Sequence, residues 1–491
     1  MAKIGVIGSG FAGLSVASCL AKQGHEVTIF EKNKVPGGRA RHFSEKGFMF
    51  DMGPSWYWMP DVFEKYFALF GKKVSDYYQL KRLDPSYRVY FGKDDFLDIP
   101  ANFNELKKLF DTLEPGSGKK LQNFMDESEY KYEVGINDLV YKPSRSLTEF
   151  FDGRLLYGLL KMQVFSSISS YIKKHFKNPK IIQLLEFPVL FLGAKPSKTP
   201  ALYSLMNYAD IKLGTWYPDG GMNKIIEGMV SLAKELGVKF ELENGVNKIE
   251  VLNNEAKILT TDKGDFEFDV VVGGADYHHV EQKLLDEPFR NYSKEYWDKR
   301  VMAPSSLIFY LGIDKKLKNL DHHNLFFDKP FDPHAEEIYE NPKWPKNPLF
   351  YVSCPSQTDK SLAPEGMENI FILIPVAPDL EDNEETREFY YDMVMKRLEE
   401  LTEQKIKSSV IYKRSYAHKD FISDYNAFKG NAYGLANTLK QTAILKPSLK
   451  SKKVKNLYFT GQLTVPGPGV PPSLISGQVV AREIEKDLKS N

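Results

Sequence analysis

The chain has 491 residues, 42% hydrophobic and 27% charged, which is typical of a globular protein too long for one ordinary core. Its net charge of +1 excludes a general affinity for nucleic acid. Its only cysteines, Cys19 and Cys354, exclude a disulfide framework and a metal–thiolate cluster. We therefore expect two domains, no nucleic-acid partner and no metal.

The N-terminal stretch has the pattern of a dinucleotide-binding βαβ unit. A strand is predicted at residues 4–7, a helix at 14–23 and a second strand at 26–30. The loop Gly8-Ser9-Gly10-Phe11-Ala12-Gly13 lies between the first strand and the helix and has GxGxxG spacing. A glycine-rich loop alone is a weak signal, but its position between a strand and a helix makes this one specific.

Each glycine of this motif has its own role in dinucleotide binding. Gly8 permits the tight turn, Gly10 lets the backbone approach a pyrophosphate, and Gly13 lets the helix pack closely on the strand. The helix N-terminus offers N–H groups and a partial positive charge to the phosphates. Glu31 ends the second strand, where a carboxylate accepts ribose hydroxyls and repels the 2′-phosphate of NADP.

The segment Gly37-Gly38-Arg39 distinguishes FAD from a nicotinamide cofactor. Large FAD oxidoreductases resemble the chain in having this segment a few residues after the acidic residue, where it backs the pyrophosphate and the flavin end of the cofactor. A surface turn after Pro36 is the alternative interpretation. The position of the segment after Glu31 favours FAD as the cofactor.

The pattern of the remaining chain indicates a discontinuous cofactor domain. Residues 105–200 are mostly helical in pattern, and the α/β pattern returns from Gly214. The predicted fold class is α/β (α+β overall), with a Rossmann-like FAD-binding domain and a substrate-binding domain of mixed sheet and helix. We assign residues 1–100, 214–300 and 416–491 to the former domain and residues 101–213 and 301–415 to the latter.

Hydrophobic periodicity predicts the other elements. Strands are expected at residues 48–54, 238–242, 246–252, 256–261, 269–276, 307–312, 349–353, 369–375 and 457–459. Helices are expected at residues 223–236, 383–401 and 474–488. The first of these strands leads into a bend at Gly53-Pro54 that we expect to face the cofactor, and Asn253-Asn254 forms a turn.

A block rich in glycine and proline, residues 461–473, separates the last predicted strand from the last helix. Gly467 and Gly469 let the backbone lie close to a ligand, and Pro471 and Pro472 suit a helix start. A helix N-terminus aimed at a flavin stabilises negative charge at N1 and O2 of the reduced ring. A proline-rich linker is the alternative, but the flanking strand and amphipathic helix argue against it.

These motifs resemble bacterial phytoene desaturases, of the type found in carotenoid-making flavobacteria. The resemblance extends almost end to end and is carried by residues 6–13, 31–39, 50–54, 187–193, 214–221 and 459–477. Many members of that family have a glycine and then His-Pro-Gly-Ala-Gly in the C-terminal block. This chain has Gln462 and Leu463 and then Val465-Pro466-Gly467-Pro468-Gly469, so no role of that histidine transfers.

The resemblance implies an FAD-dependent desaturase of a C40 carotenoid, most simply phytoene towards lycopene. Hydride would pass from an allylic C–H to flavin N5, followed by proton loss, with oxygen or a membrane quinone as the final electron acceptor. The cofactor-binding residues that we select are Gly8, Gly10, Phe11, Ala12, Gly13, Glu31, Lys32, Gly38, Arg39, Gly53, Pro54, Ser55, Val246, Gly461, Gln462, Gly469 and Val470.

Two aromatic clusters are candidates for the wall of a substrate tunnel. Trp56, Tyr57 and Trp58 follow the Gly53-Pro54 bend, and a second cluster, Trp216 and Tyr217, precedes a Gly-Gly turn. An ordinary core role is an equally good interpretation, because aromatic side chains are buried in any core.

The sequence identifies no general base with conviction. Asp51 is a weak candidate for a catalytic residue, and a helix-capping or structural role is its alternative. The pairs His278-His279 and His322-His323 lack metal-ligand spacing.

The resemblance also implies membrane attachment, because a carotenoid dissolves in the bilayer. Residues 155–176 and 181–194 are apolar and flanked by cations, which is typical of an interfacial surface and equally of a buried helix. Basic residues that would face anionic headgroups, or simply lie in a solvated turn, are Lys446, Lys450, Lys452, Lys453 and Lys455. With no signal peptide recognised, we expect a cytoplasmic protein peripherally attached to the inner face of the membrane.

Four other functions remain open at this point. They are desaturation of a later carotenoid (for example a hydroxylated one at its 3,4 bond), an amine-oxidase-like activity, flavin-dependent carotenoid isomerisation, and a flavin-free lipid-binding escort role. The intact Gly8, Gly10 and Gly13 and the Gly37-Gly38-Arg39 segment argue against the escort.

Overall fold

A computed structural model describes residues 1–146, 149, 166–193 and 195–490. Its strands are β1 Lys3–Ile7, β2 Glu26–Glu31, β3 His42–Glu45, β4 Phe48–Asp51, β5 Leu80–Arg82, β6 Tyr87–Gly92, β7 Asp95–Ile99, β8 Trp216–Pro218, β9 Lys239–Leu242, β10 Val246–Leu252, β11 Glu255–Thr261, β12 Gly264–Glu267, β13 Val270–Gly273, β14 Ser305–Ile313, β15 His323–Phe326, β16 Phe350–Ser353, β17 Glu368–Val376, β18 Val410–Tyr416 and β19 Leu457–Phe459. Its α-helices are Phe11–Lys22, Pro60–Ala68, Phe103–Leu113, Ser117–Tyr132, Ile168–His175, Pro179–Glu186, Leu205–Tyr208, Asn223–Glu235, Tyr277–Lys283, Lys294–Asp298, Phe331–Tyr339, Glu384–Thr402, His418–Tyr425 and Val470–Ser490.

The fold class is confirmed by a parallel sheet with the order β19-β13-β1-β2-β9. Residues of β1 and β13 are almost entirely buried, as expected for parallel strands covered on both faces. The first helix, Phe11–Lys22, packs against both Val470–Ser490 and Asn223–Glu235. Helices from the two ends of the chain therefore pack against each other beside the parallel sheet.

The predicted meander after β9 is present as the antiparallel sheet β10-β11-β12. Asn253 and Asn254 both have positive φ, 54° and 62°, and join β10 to β11 in a two-residue turn. Asparagine tolerates this left-handed conformation better than most residues, which is why the sequence predicts the turn correctly.

The second large sheet has the order β18-β14-β17-β16-β15-β6-β7. One face packs on the acidic helix Glu384–Thr402, whose Tyr391, Val394 and Leu398 are buried. The structure places β6 and β7 in this sheet, although we assigned residues 1–100 to the cofactor domain. The reason is the long-range parallel pairing of β6 with β15, which local periodicity does not reveal.

The described residues between 101 and 213 supply helices, as their pattern predicts, and many of their apolar side chains are buried. Ile168, Ile172, Phe176 and Ile181 are fully buried. Over the described part of the candidate membrane segments, the buried-helix interpretation therefore fits better than an apolar surface. Residues 150–165, which include the first half of the first segment, and Ala194 lie outside the described residues. Nowhere in the described residues does a helix combine the length and apolarity that crossing a bilayer requires.

Candidate active site

One cavity of about 660 Å³ runs from the GxGxxG loop to the second sheet. At one end it is lined by residues at the carboxyl ends of parallel strands: Gly10 after β1, Glu31 at the end of β2, Asp276 after β13 and Gly461 after β19. In open α/β sheets, ligands bind at this edge, where the strand order reverses. The topology alone therefore indicates a nucleotide site at this end of the cavity.

The GxGxxG loop has the shape expected for a pyrophosphate cradle. Gly8 has φ of +97°, and, apart from Gly10 itself and its two chain neighbours, no described residue has an atom within 4 Å of the position that a Cβ on Gly10 would take. The helix begins at Phe11 without a side-chain cap on its N–H groups. A Cβ on Gly13 would collide with the Gly8 carbonyl oxygen, so this position has no room for a side chain. Gly13 does not line the cavity, unlike Gly8 and Gly10.

The Glu31 carboxylate lies at the cavity wall in a fixed orientation. Its Oε2 accepts hydrogen bonds from the backbone N–H and hydroxyl of Ser9, at 3.1 and 2.7 Å. Its Oε1 accepts from the backbone and side-chain N–H groups of Asn33, at 2.9 and 2.7 Å. These bonds join the first glycine loop to the end of β2. Its binding of ribose hydroxyls stays a prediction.

Arg39 provides a cation at the same end of the cavity. One terminal guanidinium nitrogen donates to the Asn431 carbonyl at 3.1 Å, and the guanidinium lies over the Tyr425 ring at 5.1 Å. Its Nε is buried and has no partner in the part of the chain that the structure describes. An unpaired buried donor beside an open glycine loop fits a phosphate-containing cofactor such as FAD.

The C-terminal block forms the opposite wall, as the sequence predicts. Gly461, Gln462, Gly469 and Val470 line the cavity, together with Pro471–Ser473. The last helix begins at Val470, earlier than the predicted residue 474, because both prolines fit its first turn. The remaining predicted cofactor residues that line the cavity are Gly8, Phe11, Ala12, Lys32, Gly38, Gly53, Pro54, Ser55 and Val246.

The two aromatic clusters meet, but only part of them faces the cavity. The backbone N–H of Trp216 donates to the Tyr57 carbonyl at 3.1 Å. Trp56 and Trp58 line the cavity, whereas Tyr57 points away and shares a hydrogen bond of 3.0 Å with Tyr78. Side chains alternate along an extended segment, so three consecutive aromatic residues cannot all face one cavity.

Trp216 and Tyr217 do not line the main cavity. The Trp216 indole N–H donates to the Leu213 carbonyl at 2.9 Å. Tyr217 is buried beside a separate small cavity that it shares with Asp51. For these residues and for Tyr57, the core interpretation describes the structure better than the tunnel interpretation.

Asp51 caps a helix. Its carboxylate accepts hydrogen bonds from the backbone N–H groups of Met222 and Asn223, at 2.8 and 3.0 Å, where Asn223–Glu235 begins. Burial raises the pKa of Asp51 to about 6, and these two hydrogen bonds act in the opposite sense. The structural alternative to a catalytic Asp51 therefore describes its contacts.

Several residues of the cavity were not predicted from the sequence. Asp276 is buried, and burial raises its pKa to about 6 while Arg39 acts in the opposite sense. Tyr351 lines the end of the cavity that the second sheet forms, and its hydroxyl oxygen lies 2.6 Å from His323 Nδ1. An acidic residue at the carboxyl end of a buried strand was a usable signal for Asp276. No local signal existed for Tyr351, whose position depends on sheet pairing.

Lys446 does not belong to a surface patch. It is 4% exposed, and its Nζ has no hydrogen-bond partner among the described residues. Lys450 is paired with Asp487 at 2.7 Å. Of the five lysines in the predicted basic group, only Lys452, Lys453 and Lys455 are exposed. The prediction that all five form one surface is therefore wrong.

Comparisons with known proteins agree with this geometry. Residues 11–485 match the family described as flavin containing amine oxidoreductase. The chain is 41% identical over 485 residues to the carotenoid 3,4-desaturase of Haloarcula japonica, covering 98% of each protein. It is 34% identical over 501 residues to the 4,4′-diapophytoene desaturase (4,4′-diaponeurosporene-forming) of Staphylococcus haemolyticus, covering 99% of each. Its fold is similar to that of an oxidoreductase from Methanosarcina mazei, with a TM-score of 0.64 at 19% identity over 98% of this chain and 100% of that one.

Proposed function

The chain belongs to the flavin-containing amine oxidoreductases and, within them, to the carotenoid desaturases, and we propose that it desaturates a carotenoid at its 3,4 bond. It is an FAD-dependent oxidoreductase. The observation that carries the choice of bond is the 41% identity to a carotenoid 3,4-desaturase over nearly the full length, against 34% for a diapophytoene desaturase.

The residues of the nucleotide end fit FAD. The backbone at Gly10 and the uncapped N-terminus of the first helix would hold the pyrophosphate, with Arg39 as a counter-charge. Glu31 would accept the ribose hydroxyls. When bound, FAD supplies the hydride acceptor of the reaction.

The substrate end is suited to a polyene. Its walls carry Phe187, Leu190, Leu325, Phe327 and Leu373, which exclude water and provide an apolar surface. Removing a hydride next to a polyene leaves a delocalised cation, so the protein needs to position the chain and accept one proton. The apolar walls supply the positioning.

The proposal is tested with protein loaded with FAD and liposomes that contain either phytoene or a later carotenoid with a saturated 3,4 bond. Incubation is anaerobic, with and without a quinone, and the products are separated by chromatography. We expect the later carotenoid to gain one double bond. Conversion of phytoene alone would contradict the 3,4 assignment.

Phytoene desaturation towards lycopene is the second candidate. The full-length similarity to a 4,4′-diapophytoene desaturase favours it, because that relative is named for a desaturation of the same kind of polyene precursor.

Membrane attachment is also part of the proposal. Co-flotation of the FAD-loaded protein with anionic liposomes checks it, and protein that remains at the bottom of the gradient would contradict it.

A further inference from the structure

The second sheet provides the floor of the substrate end, and one row of this floor carries a phenol. Strand pairing places Ile308, Leu373, Tyr351 and Leu325 side by side on β14, β17, β16 and β15. All four side chains line the cavity. Tyr351 is the single polar member of this row, and it is 93% buried, with 7% exposure. In this row a substrate therefore meets one hydroxyl among aliphatic side chains, while Ser306 of β14 carries a second hydroxyl in the neighbouring row.

The Tyr351 hydroxyl has a proton acceptor directly behind it. Its Oη lies 2.6 Å from His323 Nδ1. His323 stands on the same face of the sheet, in the next row, where it pairs with Ser353. Burial lowers the pKa of His323 well below its usual value, so its imidazole is neutral and has one nitrogen free to accept a proton.

The Tyr351 hydroxyl carries one hydrogen, and His323 Nδ1 is its hydrogen-bond partner. Burial raises the pKa of the Tyr351 phenol, and the nearby Ser353 and Ser55 hydroxyls act in the opposite sense. In the tautomer that carries the imidazole hydrogen on Nε2, His323 Nδ1 accepts the single hydrogen of the phenol, and the lone pairs of the phenol oxygen are then available to a proton from the substrate. Ser55 follows the Gly53-Pro54 bend, so this phenol lies where the nucleotide and substrate ends of the cavity meet.

His323 is also placed to tolerate a transient positive charge. The Trp56 ring stacks on its imidazole with centroids 4.1 Å apart and an interplanar angle of 11°. An aromatic face stabilises a cation that lies over it, by more when both are shielded from water. His323 Nε2 is buried and has no hydrogen-bond partner in the described ranges. The imidazole therefore does not bridge Tyr351 to a second polar group among these residues.

We propose that Tyr351 accepts the proton that the carotenoid loses, while its own hydroxyl proton moves to His323 Nδ1. This inference rests on the proposed function. The carotenoid loses a hydride, with its electron pair, to FAD, and is thereby oxidised by two electrons. The adjacent C–H bond then breaks, its electron pair becomes the new C=C bond, and the proton goes to Tyr351 Oη. Tyr351 stays neutral throughout, and the reverse transfer from His323 returns the proton to water after product release.

A weak acceptor of this kind is sufficient. A carbocation next to a polyene is a strong acid, so a neutral imidazole behind a phenol can take its proton without a carboxylate. Proton transfer by a positioned group contributes roughly 10²–10⁴-fold to a rate. In this arrangement Tyr351 is the catalytic residue, and His323 acts through it.

Three variants test the proposal. Tyr351→Phe removes the hydroxyl, and His323→Asn keeps a hydrogen-bond acceptor near Nδ1 that cannot take a proton. Tyr310→Phe is the matched control, because Tyr310 is a buried phenol on the same face of this sheet that donates to the Met52 carbonyl at 2.7 Å and does not line the cavity. Each variant is loaded with FAD and mixed anaerobically with carotenoid liposomes. Bleaching of the flavin absorbance reports hydride transfer, and the longer-wavelength absorbance of the extended polyene reports the later proton loss; both are followed in H₂O and D₂O.

We expect Tyr351→Phe and His323→Asn to bind FAD normally and to form the desaturated product about 100-fold more slowly than the wild type. The wild type and Tyr310→Phe should show a normal solvent isotope effect, which the residual rate of Tyr351→Phe should lack. If Tyr351→Phe reacts as fast as Tyr310→Phe, or fails to hold FAD, the proposal for Tyr351 is wrong and the proposed function stands. If no carotenoid bleaches the wild type, the proposed function fails and this inference fails with it.

Discussion

A Cβ on Gly477 would lie 2.5 Å from the carbonyl oxygen of Ala12. The last helix crosses the first at this point, and the Ser15 hydroxyl donates to the Leu474 carbonyl at 2.7 Å beside it. The contact sets the separation between the GxGxxG loop and the C-terminal block. Two segments from opposite ends of the chain thereby become two walls of one site.

The first prediction concerns this contact. Gly477→Ala should lower the free energy of unfolding by about 1–3 kcal/mol through overpacking, although alanine is favoured over glycine in an ordinary helix interior. Urea unfolding measures the change. Lys486→Ala, at an exposed position of the same helix, is the control and should have little effect. A Gly477→Ala protein as stable as the wild type would mean that the helices separate without cost.

The second prediction separates two glycines of the same loop. Gly10→Ala should leave the stability of the FAD-free protein unchanged, because its Cβ meets open space, and should weaken FAD binding by about tenfold or more. Gly13→Ala should instead destabilise the fold, because its Cβ collides with the Gly8 carbonyl. Thermal unfolding and fluorescence titration with FAD measure the two effects. Equal FAD affinity in Gly10→Ala and the wild type would contradict the pyrophosphate role.

The third prediction concerns Asp51. Asp51→Ala removes the cap of Asn223–Glu235 and should lower the free energy of unfolding by about 1 kcal/mol, with turnover of the folded, FAD-loaded enzyme retained. Asp51→Asn keeps one acceptor oxygen and should lose less stability. A folded Asp51→Asn enzyme that still binds FAD but has lost turnover would restore Asp51 as a catalytic candidate.

The fourth prediction follows from the burial of Lys446. Burial lowers the pKa of Lys446 to about 7, whereas a lysine in the unfolded chain titrates near 10.4. Between these values the unfolded chain binds the proton that the folded protein has lost, so stability rises with pH across this window. The cost of burial is fully present below about pH 7.

Lys446→Met should therefore stabilise the protein near pH 7, and its advantage should shrink by roughly 1 kcal/mol per pH unit towards pH 9. Unfolding in urea at both pH values checks this dependence. Lys453→Met, at an exposed position, is the control and should show no such trend. An advantage that does not change with pH would mean that Lys446 is charged in the folded protein.

The nucleotide end of the site could be predicted because its signals are local. The strand, the glycine spacing and the acidic residue at the end of β2 lie within a short stretch of chain, and backbone geometry assigns each glycine a role there. The same holds for the two-residue turn at Asn253-Asn254. Asp51 was harder to interpret because its partners, Met222 and Asn223, are distant in sequence.

The sequence by itself determined the cofactor class, because a pyrophosphate cradle needs particular residues at a fixed local spacing. Only the tertiary structure decided which side chains face the cavity. Residue type does not tell whether an aromatic side chain lines a cavity or fills a core. Trp56 and Tyr57 are adjacent aromatic residues, and their side chains lie on opposite sides of the chain, so Trp56 alone of the two lines the cavity. The pairing of β15 with β16 brings Tyr351 to His323, and long-range register of this kind has no local signature.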